Sequence, residues 1–530
     1  MADISQKLRG GYYTPQDVAD ALTQWALARN PRSVLEPSFG DGVFLHSIVD
    51  FQKKQHTYIP TFGIEINEDE FSKVRPRFEN SFLFCQDFFE WYSTFNSTLY
   101  FDAVLGNPPF IRYQNFPEAS RFLALKHSEN AGIKLNKLTN MWVPFVILSV
   151  EMLKPGGRLG MVVPAELLQV SYAKKVREYL MKKFDSITVI TCNNLIFDEA
   201  EQEVVILLAD GKQIEEHTSC KFQLVETHTR KDLLKAIQNP PVNSFIQAIP
   251  GGKWTFYLLR EEEIEAYLKF KSDSRIARFG DYYAVDVGIV TGNNDFFVVD
   301  KQTATDYSLS DHIRPIVGRS VQIPETQFTT QDWKELWNSG KKVGLLDLNE
   351  FTDILEKPAG VMRYLNAGME TGVHKGYKCA IRKRWYAVPS IWVPDAFMFR
   401  QIHDFPHFVK NSAGAVSTDT IHRVRKKNSA ELPTEMFYTF LTAISAEIEG
   451  RSYGGGVLEL EPSEAEKLLI PRLEYVKSSH LMPVDRRENI ETLRRNTQSV
   501  LIEGLGFSRK ETDLLESAYL RLFNRRRSRS

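Results

Sequence analysis

SVLEPSFGDGVFLHSIVDFQKK, residues 33–54, holds three structural instructions in one stretch. Val34-Leu35 reads as a short buried strand, Gly40 and Gly42 permit a tight turn with close backbone approach, and a helical pattern follows from Val43. The same rhythm recurs downstream. TFGIEI (61–66), SFLFC (81–85), FDAVLGN (101–107) and GRLGMVVP (157–164) read as further buried strands, with TPQDVADALTQWALA (14–28) and NMWVPFVILSVEMLK (140–154) as helices. Alternating strands and helices predict an α/β fold with a doubly wound, mainly parallel sheet, whose ligands lie beyond the carboxyl ends of the strands. Thr14-Pro15 reads as an N-cap and first helical residue, and Lys154-Pro155-Gly156-Gly157 as a helix stop. ITVITC (187–192) and EVVILLAD (203–210) read as an antiparallel pair closing the sheet.

After about residue 245 the rhythm gives way to segments rich in aromatics, Gly and Pro, such as VGIVTGNNDFFVVD (287–300) and RSYGGGVLELEP (451–462). The breakers in AIQNPPVNSFIQAIPGGK (236–253) place a domain boundary there, giving expected domains 1–245 and 246–530. A chain of 530 residues is too long for a single core. A hydrophobic fraction of 43% and a charged fraction of 25% are those of an ordinary globular protein. No stretch has the apolar length of a membrane span or a signal peptide, so a cytoplasmic protein is expected. Four dispersed cysteines without a CxxC pair indicate neither a disulfide framework nor a thiolate zinc site. The net charge of -1 gives no global pull toward a polyanion, yet residues 374–427 hold eleven Lys and Arg against three Asp. That surplus is either a solvated face or a phosphate-binding one. The tail NRRRSRS (524–530) reads as a solvated end.

The predicted strand ends carry a series of polar features. The first ends in Glu36 and the glycine turn, which lacks both the Lys-Ser/Thr of a phosphate loop and the full dinucleotide spacing. The second ends in Glu65, about 23 residues after the turn, where a carboxylate accepts from ribose hydroxyls or caps the next helix. The third ends in CQDFF (85–89), where Asp87 faces an adenine amino group or caps a helix, and Phe88 lines a base pocket. Nothing here grips a pyrophosphate, so a nucleoside of little negative charge fits better than NAD or ATP. S-adenosylmethionine is such a ligand.

The fourth strand delivers GNPPF (106–110). Prolines lack an N–H and have a fixed φ, so Asn107-Pro108-Pro109 makes a stiff turn presenting acceptors without competing donors. The Asn107 side-chain oxygen and the Pro108 carbonyl together suit the two hydrogens of an exocyclic amine, and Phe110 suits stacking on its ring. Two acceptors aimed at such an amine favour its pyramidal, methyl-accepting form. Standing alone, an NPP stretch is more often simply a turn, by about three to one.

GNPPF following SVLEPSFGDGVFL, FGIEIN and CQDFF resembles the DNA N6-adenine methyltransferases, and the motif order resembles the gamma type of type II restriction-modification systems. The resemblance spans essentially the whole chain. It implies a Rossmann-like domain with a mixed seven-stranded sheet, followed by a C-terminal α+β target-recognition domain. By that resemblance Tyr13 and Thr14 of the Tyr12-Tyr13-Thr14-Pro15 element contact the methionine part of S-adenosylmethionine, as do Glu36, Gly40 and Gly42. Glu65 then binds the ribose, Asp87 and Phe88 the adenine, and Asn107, Pro108 and Phe110 the reacting base. Phe145, eight residues before Leu153, is placed against the cofactor, and Phe197 on the flipped target base; both also suit a core role. Two residues depart from the family pattern. Phe39 occupies a position that is usually small, and Phe110 replaces the commoner Tyr.

An amine inside a duplex cannot meet a methyl sulfonium, so the target adenine must leave the stack. Methyl transfer by displacement needs alignment and requires no metal. The roughly 285 residues after the boundary suit a domain that reads double-stranded DNA. Arg382, Lys383, Arg384, Arg423 and Arg425 are the expected phosphate contacts. A monomer paired functionally with a cognate restriction endonuclease is the expected assembly. RNA, a protein glutamine, a fused restriction-modification enzyme and a non-enzymatic DNA-binding regulator are the alternatives.

Overall fold

The computed structural model describes residues 14–528 except 96, 137–138, 193–202, 242–245, 248–251, 325, 353–357, 430, 454–455, 483 and 485–489. Tyr12, Tyr13 and Phe197 lie outside the described residues. The chain divides into two compact units, the first reaching Leu258 and the second beginning at Leu259.

The first unit is built on α1 (Gln16–Leu27), β1 (Val34–Glu36), α2 (Val43–Gln55), β2 (Thr61–Glu65), α3 (Glu68–Val74), β3 (Phe82–Cys85), α4 (Phe88–Phe95), β4 (Phe101–Gly106), α5 (Glu118–Asn130), α6 (Trp142–Glu151), β5 (Leu153–Pro164), α7 (Lys174–Lys183), β6 (Phe184–Cys192), β7 (Val204–Lys212), β8 (Lys221–Thr227), α8 (Arg230–Gln238) and β9 (Ile246–Gln247). The sheet order is β3-β2-β1-β4-β5-β7-β6-β8-β9. β3, β2, β1, β4 and β5 run parallel. β7 is antiparallel to both β5 and β6, the pair expected near residue 210. This is the Rossmann-like α/β sheet expected, and it runs on past seven strands. KFQLVET forms β8 parallel to β6, and β9 closes that edge. Strands β1, β4 and β7 are almost wholly buried, as their continuous apolar runs require of a sheet covered on both faces. Helix α6 is buried from Trp142 through Val150, because WVPFVILSV is apolar all round.

Two local expectations shift. Helix α1 starts at Gln16 with Pro15 as its N-cap, and no side chain caps it. Thr14 therefore does not cap the helix. Lys154-Pro155-Gly156-Gly157 lies inside β5 instead of ending a helix. The β4–β5 register jumps from Phe101↔Leu153 to Ala103↔Arg158, so these residues loop out of the ladder, with Gly156 at φ 76. Lys154 Nζ pins the loop to Asp102 Oδ2 at 2.9 Å.

The division between units falls after the expected residue 245 because GKWTFYL, from Gly252, still belongs to the first core. Trp254 is fully buried, with its ring 4.7 Å from that of Phe222 in β8. Buried Arg177 of α7 donates to the Gly252 carbonyl at 3.0 Å and to the Leu167 carbonyl at 2.8 Å.

The second unit contains a five-stranded sheet in the order Tyr283–Asp286, Ile421–Lys426, Ala396–Phe399, Phe408–Asn411 and Gln327–Phe328, with four-, three- and two-stranded sheets beside it. Helices occur throughout, including α9 (Glu261–Ser272), α10 (Phe440–Glu449) and α11 (Arg509–Arg527). The α+β description holds. Within the described part of the basic tail α11 continues to Arg527, and Arg526, unlike the exposed Arg527, is buried against Glu447 of α10. Arg526 Nη2 is 2.7 Å from Glu447 Oε1 and 3.0 Å from the His403 carbonyl, and Nη1 also donates to the carbonyl of Gly456. Removing one partner of a buried, hydrogen-bonded ion pair strands the other charge, at a cost of about 3–5 kcal/mol. Arg526→Ala should lose that much stability in a denaturant titration of the full chain, whereas Arg527→Ala, whose side chain is 61% exposed, should change it by less than about 1 kcal/mol.

Candidate active site

The strand order reverses between β1 and β4: the chain winds outward from β1 to β2 and β3, then returns to add β4 on the other side. A crevice opens beyond the carboxyl ends of an open α/β sheet at such a reversal. Glu36 ends β1, and Gly106-Asn107 ends β4. The two ends touch. A Cβ on Gly106 would lie 3.3 Å from Cδ of Pro37, and Ser38 Oγ donates to the Asn107 carbonyl at 3.5 Å.

Glu36 is 1% exposed, and its Oε2 has no hydrogen-bond partner among the described residues. Burial pushes its carboxyl well above the ordinary range, the charges of Asp41 and Glu65 push it further, and the Leu45 amide pulls the other way. Burial also raises Asp41 and Glu65. Glu65 is oriented by the backbone: Oε2 accepts from the Gly40 amide at 2.9 Å and Oε1 from the Asn67 amide at 2.8 Å. Gly40 and Gly42 sit at φ 53 and 83, the left-handed region glycine enters without strain. The turn, the ribose-type acid and Glu36 are thus one unit. Asp41 was not singled out from the sequence, although an acid between the two glycines was the available signal.

Asp87 caps α4, with Oδ1 accepting from the amides of Phe89 at 2.8 Å and Glu90 at 3.1 Å. Phe88 and Phe145, expected to flank an adenine, stack on each other with centroids 5.0 Å apart and planes 16° apart, and both are buried. Phe39 points away from the turn into a small core with Leu45, Val74 and Phe78. A Cβ on Gly63 would fall 2.9 Å from Cδ1 of Phe39 and 2.7 Å from Cδ2 of Leu83, so the glycine in β2 makes room for the large side chain. The departure at residue 39 is absorbed by packing.

In the turn itself, Pro108 and Phe110 are buried and Asn107 is half-buried. The Asn107 amide nitrogen donates to Thr14 Oγ1 at 3.2 Å. Beyond it the Met141 amide donates to the Ile111 carbonyl at 2.9 Å, and Arg112 bridges to Asn140, so the chain leaving the motif is tied to the start of α6.

The basic segment of the second unit divides into inward and outward residues. Arg423, 3% exposed, donates to the carbonyls of Val287 at 2.9 Å and Ser390 at 2.6 Å, and Arg384 donates to those of Asn349 and Phe351. Both were expected at phosphates; both tie loops together. Arg382 is half-buried, donating to the Val290 carbonyl at 3.0 Å over the Phe297 ring. Lys383 and Arg425 are exposed, Arg425 lying 4.2 Å from the Trp392 ring, whose distance to Arg423 is 4.4 Å. The sequence reading missed Tyr377 and Ile381, which are 74% and 64% exposed and lie four residues apart. Between them Cys379 is fully buried. From His374 to Pro394 there are five Lys and Arg and no acid.

With the strand order and its end residues in place, the chain falls in the Rossmann-like methyltransferase class. A family model described as the Eco57I restriction-modification methylase matches residues 45–197, and one described as the C-terminal domain of the type II methyltransferase M.Eco57I matches residues 251–502. The chain belongs to the type II restriction-modification methyltransferases. The type II methyltransferase M.AccI of Acinetobacter calcoaceticus is 26% identical over 487 residues, which cover 86% of this chain and 84% of that protein. The type II methyltransferase M.XamI of Xanthomonas campestris pv. amaranthicola is 20% identical over 475 residues, covering 88% and 85%. Among solved structures, the type IIG restriction endonuclease BpuSI is similar at 14% identity and a TM-score of 0.42, over 99% of this chain and 67% of that one. Among the described residues no helix is long and apolar enough to cross a membrane.

The raised Glu36 carboxyl has a measurable consequence. A glutamate whose folded value exceeds its unfolded one binds more protons when folded, so stability declines as pH rises from the unfolded value through the folded one. Glu36→Gln lacks this penalty. The Tm of Glu36→Gln minus that of the wild type should be small at pH 5 and grow toward pH 8 in thermal melts of the ligand-free protein.

Proposed function

We propose that the protein is a site-specific DNA adenine methyltransferase, moving a methyl group from S-adenosylmethionine to N6 of an adenine extruded from duplex DNA. The product would protect that site from a cognate restriction endonuclease. The observation that carries the reading is Asn107-Pro108-Pro109-Phe110 at the sheet's reversal point, where β1 ends in the buried Glu36, whose Oε2 has no hydrogen-bond partner among the described residues.

The donor set fits the cofactor. The charges of Asp41 and Glu65 work against ionisation of Glu36, and a positively charged ligand offsets that effect where a pyrophosphate would add to it. Glu65, already oriented by two amides, suits ribose hydroxyls, and Asp87, capping α4 through Oδ1, retains Oδ2 for an amino group. Bound S-adenosylmethionine supplies the methyl as a sulfonium electrophile. The Asn107 Oδ1 and the Pro108 carbonyl accept the two N6 hydrogens, drawing the nitrogen lone pair out of conjugation toward the methyl. Phe110 holds the plane of the base. The methyl would pass to N6 from the sulfonium sulfur, which would keep the electron pair of the broken S–C bond, and the alkylated nitrogen would release its proton to water. Alignment does the rest.

Asn107→Ala should lower methyl transfer about 10²–10³-fold while duplex binding is largely retained. Labelled cofactor offered to duplex DNA, tRNA and protein checks this, and label entering only RNA or protein would overturn the reading.

For the DNA-facing surface we favour Lys383 and Arg425, with Tyr377 and Ile381 as apolar contacts on the same basic segment. A phosphate contact changes the salt dependence of binding and an apolar contact does not. Lys383→Ala should reduce the slope of log affinity against log salt by about 1, whereas Tyr377→Ala should weaken binding at an unchanged slope.

A further inference from the structure

We infer that the segment leaving the catalytic turn is a phosphate grip: Arg112 and Arg121 hold the backbone of the DNA strand that carries the target adenine, next to the pocket into which that base is turned. The inference rests on the methyltransferase reading above and adds to it a DNA-contacting surface on the first unit.

The backbone sets the position. Arg112 lies two residues beyond Phe110, a span of at most about 7 Å. The segment is tied down on its far side, where the Ile111 carbonyl accepts from the Met141 amide at 2.9 Å and Arg112 forms an antiparallel bridge with Asn140. The Arg112 side chain is exposed and makes no hydrogen bond or ion pair among the described residues. Arg121 comes back to this segment from α5. Its guanidinium lies 5.2 Å from the ring centroid of Tyr113, the residue after Arg112, and its Nε is buried with no hydrogen-bond partner among the described residues. Stacking on an aromatic face orients a guanidinium and leaves its charge unneutralised.

Charge selects the ligand. From Asn107 to Lys126 three basic residues stand against one acid, Glu118. Glu36, Asp41 and Glu65 belong instead to β1, β2 and the glycine turn, so a sulfonium cofactor and a polyanion are drawn to different segments. An extruded nucleotide stays joined to its two phosphates, which come to the mouth of the pocket with it. Guanidinium groups suit phosphate oxygens because two parallel N–H donors meet two acceptors. Cations fixed a few residues from Phe110 therefore neutralise the strand where the base leaves the stack.

The test is duplex binding as a function of NaCl, on DNA carrying the site found by sequencing methylated product, with methyl transfer from labelled cofactor measured alongside. Arg112→Gln and Arg121→Gln should each reduce the slope of log affinity against log salt by about 0.9, and Arg112→Lys should keep it. Ethylating the phosphates beside the modified adenine should weaken wild-type binding and add nothing to the loss in Arg112→Gln. Lys54→Gln, at the end of α2 away from the glycine turn, should leave the slope unchanged. Should Arg121→Gln disturb folding, the exposed Arg112 decides alone. A wild-type slope in Arg112→Gln, or an equal loss in Lys54→Gln, would overturn the inference, and the methyltransferase reading stands as long as the wild type labels DNA. If the wild type labels no DNA, both fall.

Discussion

The contact between the ends of β1 and β4 is the constraint on which the first unit depends. A sheet that reverses its winding leaves two neighbouring strand ends uncovered by crossover helices. Gly106 lets these two approach until its backbone meets Pro37. Glu36 is buried at the end of β1, and the flanking turn presents the Gly40 amide to Glu65. A side chain at 106 would press on the Pro37 ring, so the close approach of the two strand ends is built around the missing Cβ.

The two units use charge in opposite ways. The first gathers Glu36, Asp41 and Glu65 around a buried turn, where burial raises all three carboxyls. Its cohesion comes from elsewhere, including the largely apolar α6 and the Arg158–Asp210 and Lys154–Asp102 ties. The second unit, richer in aromatics and irregular segments, uses arginine as a fastener. Arg384 and Arg423 satisfy carbonyls that short strands leave unpaired, and Arg526 does so for His403 and Gly456 while matching Glu447. Planar guanidinium groups with several donors are suited to that work.

This difference decides what could be read from the sequence. Strands β1 to β7 were legible because each is an apolar run with a turn at its end, although β3, expected to be buried, is the sheet's edge strand with Phe82 and Cys85 exposed. Strand β8 was missed because KFQLVET mixes polar and apolar residues without an apolar run, Gln223 being buried beside Phe222. The loop at Lys154–Gly157 carried the usual helix-stop residues, but a bulge requires the same glycines. Glu36, Glu65 and Asn107 were found by their position at strand ends. Composition could flag the basic segment but could not distinguish an arginine that faces water from one that braces a loop, since that is settled by partners distant in the chain. The same limit hid the link between Thr14 and Asn107.

Phe39 and Gly63 extend the point to variation. The bulky residue in the turn and the absent side chain in β2 occupy one volume, shared with Leu83 of β3. The turn is consequently not a portable module: a small residue grafted at position 39 leaves a void unless β2 gains a side chain, and a larger residue at 63 meets a ring already in place. In this chain the loop and the neighbouring strand tolerate exchange only as a pair.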